Sequence, residues 1–471
     1  MNEPDIWRWD AATQARAIRL GVISSREAVR AALDRCAAVN PKLNAVVEVL
    51  EKEALAAADA ADRAVRSGAA LGVLHGVPVT TKINVDQAGC ATSNGVVAFR
   101  DVIATEDSPV VANLRKAGAV IFGRTNTPAF SMRWFTDNAL HGRTLNPWSA
   151  GHTPGGSSGG ASSAVAAGIG AVAHGNDMGG SVRYPAYATG VVGIRPSHGR
   201  IPAFSTTAQA ERPLSGQMMS TQGPLARRVG DARLALAAMA QRDIRDPWWM
   251  PVPLEGPPPA RPIRVALSVD ALGHGVHPEV KAAVLRAGES LARAGYAVEE
   301  ADPPDWRQIA EDWDTICHTD ALLFMREGFE RHGDEGAQAT FRFMTARTHD
   351  LGKQAHLQVL ARRATHQRAW GRFMETYPLI LCPNSAEPPF PQAIDMESQQ
   401  SFDRVYRAQG FQLANPLLGL PGVSVPTGLT EDGLPMGVQI IGQRWREDLA
   451  LDAAEAIEAG CPMPTPVDPR F

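Results

Sequence analysis

Lysine is scarce in this sequence. Six (Lys42, Lys52, Lys82, Lys116, Lys281 and Lys353) stand against forty arginines in 471 residues. The skew reads as drift in base composition, and a lysine that survives it stands out because arginine cannot give up its proton. Cysteine is scarce too: Cys36, Cys90, Cys317, Cys382 and Cys461 are odd in number, far apart and never in C-x-x-C spacing. That excludes a disulfide framework and the usual zinc sites, and predicts a reducing, cytoplasmic setting. No stretch approaches the ~18 apolar residues of a membrane span; the glycine-broken run from Ala164 to Ala173 comes nearest. Met1 to Trp7 lacks a basic segment followed by an apolar one, so no secretory signal is predicted. Neither sign of charge dominates. The 46 basic and 50 acidic residues leave a net charge of −4, which argues against nucleic acid or an anionic membrane as partner.

What is present suits a globular chain. At 44% hydrophobic it can bury a large core, and its length is about three domains' worth at ~150 residues each. The first seventy residues read as helical. Ser24-Ser-Arg-Glu27 is a capping box, Val29, Leu33 and Cys36 follow along one helix face, and Glu51 to Val65 is an alanine-rich second helix. Gly76 to Thr81 and Ala119 to Phe122 then read as strands. Between Gly151 and Gly180 glycine, serine and alanine dominate without repeat or charge, which suits backbone packed closely on backbone. Pro251 to Pro262 is proline-rich and is the linker candidate. Beyond it Arg264 to Ser268, Leu379 to Cys382, Val423 to Val425 and Met436 to Ile441 read as strands. Pro278 to Ala294, most of 305–375 and the segment from Glu447 read as helices. Strands alternating with helices predict an α/β fold. The predicted organisation is a helical segment at 1–70 packed on a core at 71–245, with 246–471 completing the same domain.

Three patches carry candidate chemistry. Gly76-Val-Pro-Val-Thr-Thr-Lys82 ends an apolar strand on a lysine. Desolvation lowers a lysine's pKa and lets it act as a base; a snorkelling side chain, or one paired with Asp86, is the structural alternative. Thr153-Pro-Gly-Gly-Ser157-Ser158-Gly-Gly160 makes a backbone that turns sharply and exposes hydroxyls, or is simply a turn. Gly175-Asn-Asp-Met178-Gly179-Gly180-Ser181-Val-Arg183 sets glycines directly before a serine, so consecutive N–H groups can converge as an oxyanion hole requires.

Together the three patches resemble the amidase signature family of serine hydrolases. Ser157 and Ser181 lie 24 residues apart, as in that family's motif, with the lysine upstream in the expected G-x-P-x-x-x-K context. Gly123-Arg-Thr-Asn-Thr-Pro128, Asn146-Pro147-Trp148, Gly193-Ile-Arg-Pro196, Gly223-Pro-Leu-Ala-Arg227 and Asn415 to Gly442 look like its flanking elements. The resemblance runs from about residue 10 to about residue 460. It implies a single large domain with a central mixed β-sheet covered by helices on both faces. Ser181 would be the nucleophile, Ser157 a bridging serine after a cis peptide bond, and Lys82 the neutral base. Met178, Gly179 and Gly180 would supply the oxyanion hole. The implied reaction is hydrolysis of the C–N bond of a small carboxylic amide through an acyl-enzyme on Ser181, with no metal or cofactor. Asp177 and Arg183 are expected to pair beneath the nucleophile loop. Pocket walls are expected from 130–140, 203–220 and 305–400, a mostly helical region. There Trp134, Trp313, Met218 and Cys317 predict an apolar or aryl acyl group, hydrazides and anilides included. The expected partner is a small-molecule amide, with neither nucleic acid nor membrane, and the assembly allowed for is a homodimer.

Some positions depart from the family pattern. Asn176 stands where threonine is usual, Ala129 replaces a common glutamate, and Arg124 and Arg195 stand where lysine is frequent. The His174-Gly-Asn-Asp177 variant is similar to the branch containing nylon-oligomer hydrolases. Rival readings carry less. Gly155-Gly-Ser157-Ser-Gly159 satisfies G-x-S-x-G, but a turn-rich stretch precedes it where a strand is needed. Gly168-Ile-Gly170-Ala-Val-Ala173 fits a relaxed dinucleotide fingerprint without the preceding strand or the following acid. An esterase of the same family, or the amidase-like subunit of a tRNA-dependent amidotransferase, keeps the same three residues, so the motifs alone leave both open. His141, His152, His174 and His318 lack ligand spacing and read as structural, as does the cysteine of Cys317-His318.

Overall fold

Short apolar runs bounded by turns become eleven strands of one mixed sheet in the computed structural model, which describes residues 5–208, 210–348 and 352–471. In chain order they are β1 (Val46–Val49), β2 (Pro78–Lys82), β3 (Val120–Thr125), β4 (Val172–Asp177), β5 (Val192–Arg195) and β6 (Thr221–Ala226). They continue with β7 (Arg264–Leu267), β8 (Ala297–Glu300), β9 (Leu379–Pro383), β10 (Gly422–Leu429) and β11 (Pro435–Gly442). Across the sheet the order is β1-β3-β2-β4-β6-β5-β10-β11-β9-β7-β8. Parallel pairing joins β3, β2 and β4 on one wing and β9, β7 and β8 on the other, with antiparallel pairs between. Helices such as Arg183–Thr189, Val229–Met239, Pro278–Arg293 and Glu447–Gly460 flank the sheet. Among the described residues no helix is long and apolar enough to cross a membrane.

The first seventy residues are not wholly helical. The capping box forms as expected, Ser24 Oγ accepting from the N–H of Glu27 at 3.1 Å and the Glu27 carboxylate from the N–H of Ser24 at 2.6 Å. Between the helices Ser25–Leu43 and Glu51–Arg66, however, Val46–Val49 pairs antiparallel with β3 as the edge strand. Four residues are too few for a period of two to show in sequence, and the partner that makes them a strand lies some 75 residues away.

Two strand ends position the site. β2 and β4 are parallel neighbours, with Val79 opposite Val172 and Thr80 opposite Ala173. Their carboxyl ends, carrying Lys82 and Asn176-Asp177, therefore emerge side by side, where open α/β sheets place their ligands. The glycine-rich segment fits against this edge because it has no side chains to clear. A Cβ on Gly156 would lie 2.5 Å from the carbonyl oxygen of Arg133, and one on Gly160 would lie 2.4 Å from the backbone nitrogen of Asn126 and 2.7 Å from the carbonyl oxygen of Ala45. Backbone, not a yielding side chain, blocks both. Gly160→Ala is accordingly expected to destabilise the fold by about 1–3 kcal/mol and to lower activity, measured as a reduced thermal midpoint. Gly230→Ala, whose added methyl meets nothing within 4 Å, is the control expected to leave both unchanged.

Candidate active site

Lys82 closes β2 with none of its surface exposed. Its Nζ lies 2.7 Å from Ser157 Oγ, 3.1 Å from Ser158 Oγ and 2.9 Å from Asn176 Oδ1. Burial pushes its pKa well below the ordinary lysine value, more than the charge of Asp177 raises it. Asp86 does not pair with it. That carboxylate faces the hydroxyls of Thr92, Ser205, Thr206 and Thr207 and the N–H groups of Thr206 and Thr207.

The acceptors around Nζ fix where its lone pair points. Asn176 Oδ1 can only accept, and the amide is held in place by reciprocal hydrogen bonds with Asn84, at 2.9 and 3.2 Å. Ser158 Oγ directs its own proton at the carbonyl oxygen of Asn176, at 3.4 Å, and so accepts from Nζ. A neutral amine donating its two protons to these oxygens keeps its lone pair for the hydroxyl of Ser157. That is the arrangement of a base.

Ser157 follows Gly156 through a cis peptide bond. The N–H of Ser158 donates to the carbonyl oxygen of Ser181 at 3.2 Å, which ties the two serine-bearing segments together. Ser181 is half-buried, whereas Lys82 and Ser157 are buried. The loop leading to it is organised by Asp177, whose carboxylate accepts from the N–H of Gly180 at 2.9 Å and of Val182 at 3.2 Å. Arg183 grips the same carboxylate with two donors, Nε at 3.0 Å and Nη2 at 2.9 Å, and neither side chain is exposed. Burial would raise the Asp177 pKa, but Arg183, Arg195 and the Gly180 N–H outweigh it and hold the carboxyl well below the usual range. The remaining guanidinium protons of Arg183 go to Asn415 Oδ1, Gln439 Oε1 and the carbonyl of Gln412. The expected ion pair is present and fully hydrogen-bonded.

Other expected residues take different positions. The Gly180 N–H is occupied by Asp177, so it leaves the expected oxyanion donor set; a glycine run shows that N–H groups can converge, not that an upstream carboxylate captures one. The N–H groups of Met178, Gly179 and Ser181 make no hydrogen bond among the described residues. Trp134 is buried, and its indole N–H donates to the carbonyl of Gly179 at 2.9 Å. Cys317 is buried in the apolar cluster that also holds Trp134 and Trp313, with Met178 and Met218 half-buried against it. Burial and the nearby Asp314 and Asp320 push the Cys317 thiol well up, so it stays protonated. His174 is structural as read: Nδ1 accepts from the N–H of Lys82, Nε2 therefore donates to Gln222, and burial lowers its pKa to about 4. Asn84 is the neighbour sequence does not single out, and Ser158 enters there as a hydroxyl of the glycine-rich segment without a role. Their part depends on two strands and a loop meeting, and only the departure at Asn176 hints at it. Among the described residues no group of three or more His, Cys, Asp or Glu could hold a metal ion.

Comparison with known proteins agrees with this geometry. The Amidase family model matches residues 27–451. The chain belongs to the amidase family. This amidase is 51% identical over 454 residues to an indoleacetamide hydrolase of Bradyrhizobium diazoefficiens, covering 96% of this chain and 86% of the relative. Its fold is similar to that of a 6-aminohexanoate cyclic dimer hydrolase solved with its substrate, at TM-score 0.84 and 27% identity over 97% of this chain and 98% of the other. It also resembles a bacterial aryl acylamidase of the amidase signature enzymes, at TM-score 0.83 and 27% identity over 97% and 96% of the two chains. The amidase is thus a hydrolase of amide C–N bonds. Its Asn176 offers a direct check on Lys82. Asn176→Asp sets a carboxylate against Nζ and favours the ammonium, so the acid limb of the kcat/KM profile is expected to move to higher pH by roughly one to three units. A pH–rate profile of the two enzymes measures the displacement.

Proposed function

We propose that this amidase releases ammonia from a small amide bearing an aryl-acetyl or similar flat, apolar acyl group, through an acyl-enzyme on Ser181. The observation that carries the reading is the buried Lys82 amine, 2.7 Å from Ser157 Oγ, with Ser158 and Asn176 as acceptors for its two protons. Ser181 Oγ attacks the amide carbonyl carbon, its proton passes to Ser157 Oγ, and the Ser157 proton passes to Lys82 Nζ. The carbonyl oxygen gains negative charge and is met by backbone N–H groups of the nucleophile loop other than that of Gly180, which Asp177 holds. The lysine then returns its proton through Ser157 to the amide nitrogen, the C–N bond breaks, and ammonia leaves. Water, giving a proton through Ser157 to Lys82, attacks the ester; the bond to Ser181 Oγ breaks as the relay returns that proton to the serine oxygen, and the carboxylic acid is released.

Two observations support the acyl class. The residues expected to meet the acyl group are apolar: Trp134 and Trp313 reach the loop before Ser181 through their indole N–H groups, and with Cys317 they belong to the main core on which Met178 and Met218 pack. A relative of 51% identity takes its name from indoleacetamide. Assays of ammonia release are expected to favour indoleacetamide and phenylacetamide over charged aliphatic amides by at least tenfold in kcat/KM; turnover confined to charged aliphatic amides would overturn the substrate class. Ser181→Ala is expected to abolish labelling by a fluorophosphonate, and labelling that persisted would move the nucleophile elsewhere. Lys82→Met is expected to lower kcat by roughly 10²–10⁴-fold. It should also raise the thermal midpoint, because an apolar group replaces a buried amine that folding must desolvate.

A further inference from the structure

Two indole N–H groups converge on consecutive carbonyls of the loop before Ser181. Trp313 Nε1, from the helix Trp306–Phe324, donates to the carbonyl of Met178 at 2.9 Å, and Trp134 Nε1 donates to that of Gly179 at 2.9 Å. In a trans peptide the C=O and N–H point in opposite directions across one rigid plane. A donor on the Met178 carbonyl therefore fixes the direction of the Gly179 N–H. The next plane is held from both sides, its carbonyl by Trp134 and its Gly180 N–H by Asp177. Hydrogen bonding at a peptide oxygen also polarises that amide and strengthens its N–H as a donor.

The indoles are themselves braced. Trp134 meets the Tyr406 ring edge-on at 4.7 Å between centroids, His318 meets Tyr406 at 5.4 Å, and His318 Nε2 lies 3.1 Å from the Tyr406 hydroxyl. Trp313 lies against Gly179 so closely that a Cβ there would sit 2.7 Å from its ring. The site thus has a rigid clamp on its carbonyl side, while the N–H of Gly179 is unengaged among the described residues.

We propose that Trp313 and Trp134 are positioning residues for the oxyanion: Trp313 aims and polarises the Gly179 N–H, and Trp134 locks the following peptide so that the hole opens towards Ser181. The inference rests on Ser181 as nucleophile and concerns the two indole N–H groups, which act on the loop carbonyls, apart from what the rings contribute to the pocket wall.

Trp313→Phe keeps a ring and removes the N–H. Its kcat is expected to fall about 10–100-fold with KM within threefold, short of the ~10²–10³ lost with an oxyanion donor itself. The affinity of an aryl-acetaldehyde, whose adduct with Ser181 places an oxyanion in the hole, should fall by the same factor. Arylacetate, a product that forms no such adduct, should bind unchanged. Replacing Trp313 by benzothienylalanine, an isostere without the N–H, repeats the comparison should phenylalanine disturb packing. Unchanged kcat in both variants, or a lower kcat with full aldehyde affinity, would overturn the inference. Ser181→Ala is run alongside. If it still binds aldehyde or turns over amide, the nucleophile assignment has failed; if it is dead while both Trp313 replacements match the parent enzyme, only the positioning role has.

Discussion

The buried carboxylate of Asp177 is the contact on which the rest of the site depends. It ends β4, receives two loop N–H groups and is gripped by Arg183, which in turn holds Gln412, Asn415 and Gln439 from the last third of the chain. One ion pair therefore joins the nucleophile loop to β11 and the segment before β10. Such a pair gains little over an apolar core, because both charges lose their water. It is, though, hard to break: removing one partner leaves the other buried and uncompensated, at a cost of about 3–5 kcal/mol. Its use is geometric. Every donor of Arg183 has one acceptor, so the loop has one arrangement.

Lys82 is the opposite case, a group held where its charged form is disfavoured. Folding lowers its pKa while the unfolded lysine keeps the ordinary value, so between the two the unfolded chain carries one more proton than the native one. Stability then rises with pH through that window and is lowest below it. At neutral pH the fold bears this cost and the site gains a base. The surroundings keep it so by offering neutral partners only: Asn176 and Ser158 accept its two protons and the Ser157 hydroxyl faces its lone pair.

Much of this was legible in the residues. The strands at Arg264, Leu379 and Met436 lie within a residue or two of where their apolar runs place them, because runs buried on both faces need no partner to be recognised. The expectation of backbone packed on backbone at Gly151 to Gly180 holds at Gly156 and Gly160 for steric reasons that composition already carries. What sequence cannot show is which of several donors reaches which acceptor. Asp177 lies three residues before Gly180 whatever the fold, yet only the turn between them brings the carboxylate onto that N–H. Trp134 reads as an apolar wall from its ring. Its N–H found a carbonyl 45 residues away, a pairing that leaves no trace in periodicity or motif.

The scarcity of lysine gains a physical meaning from these two contacts. Arginine serves at positions 183 and 195, where a permanent charge must neutralise Asp177 in a dry interior. The same neutralisation protects the lysine, since a free carboxylate nearby would hold its proton on. Asp86, four residues beyond Lys82, is kept from that role by hydroxyl and N–H donors. Cations that cannot titrate and hydroxyls that carry no charge together absorb both acids. The amine of Lys82 is left facing a serine.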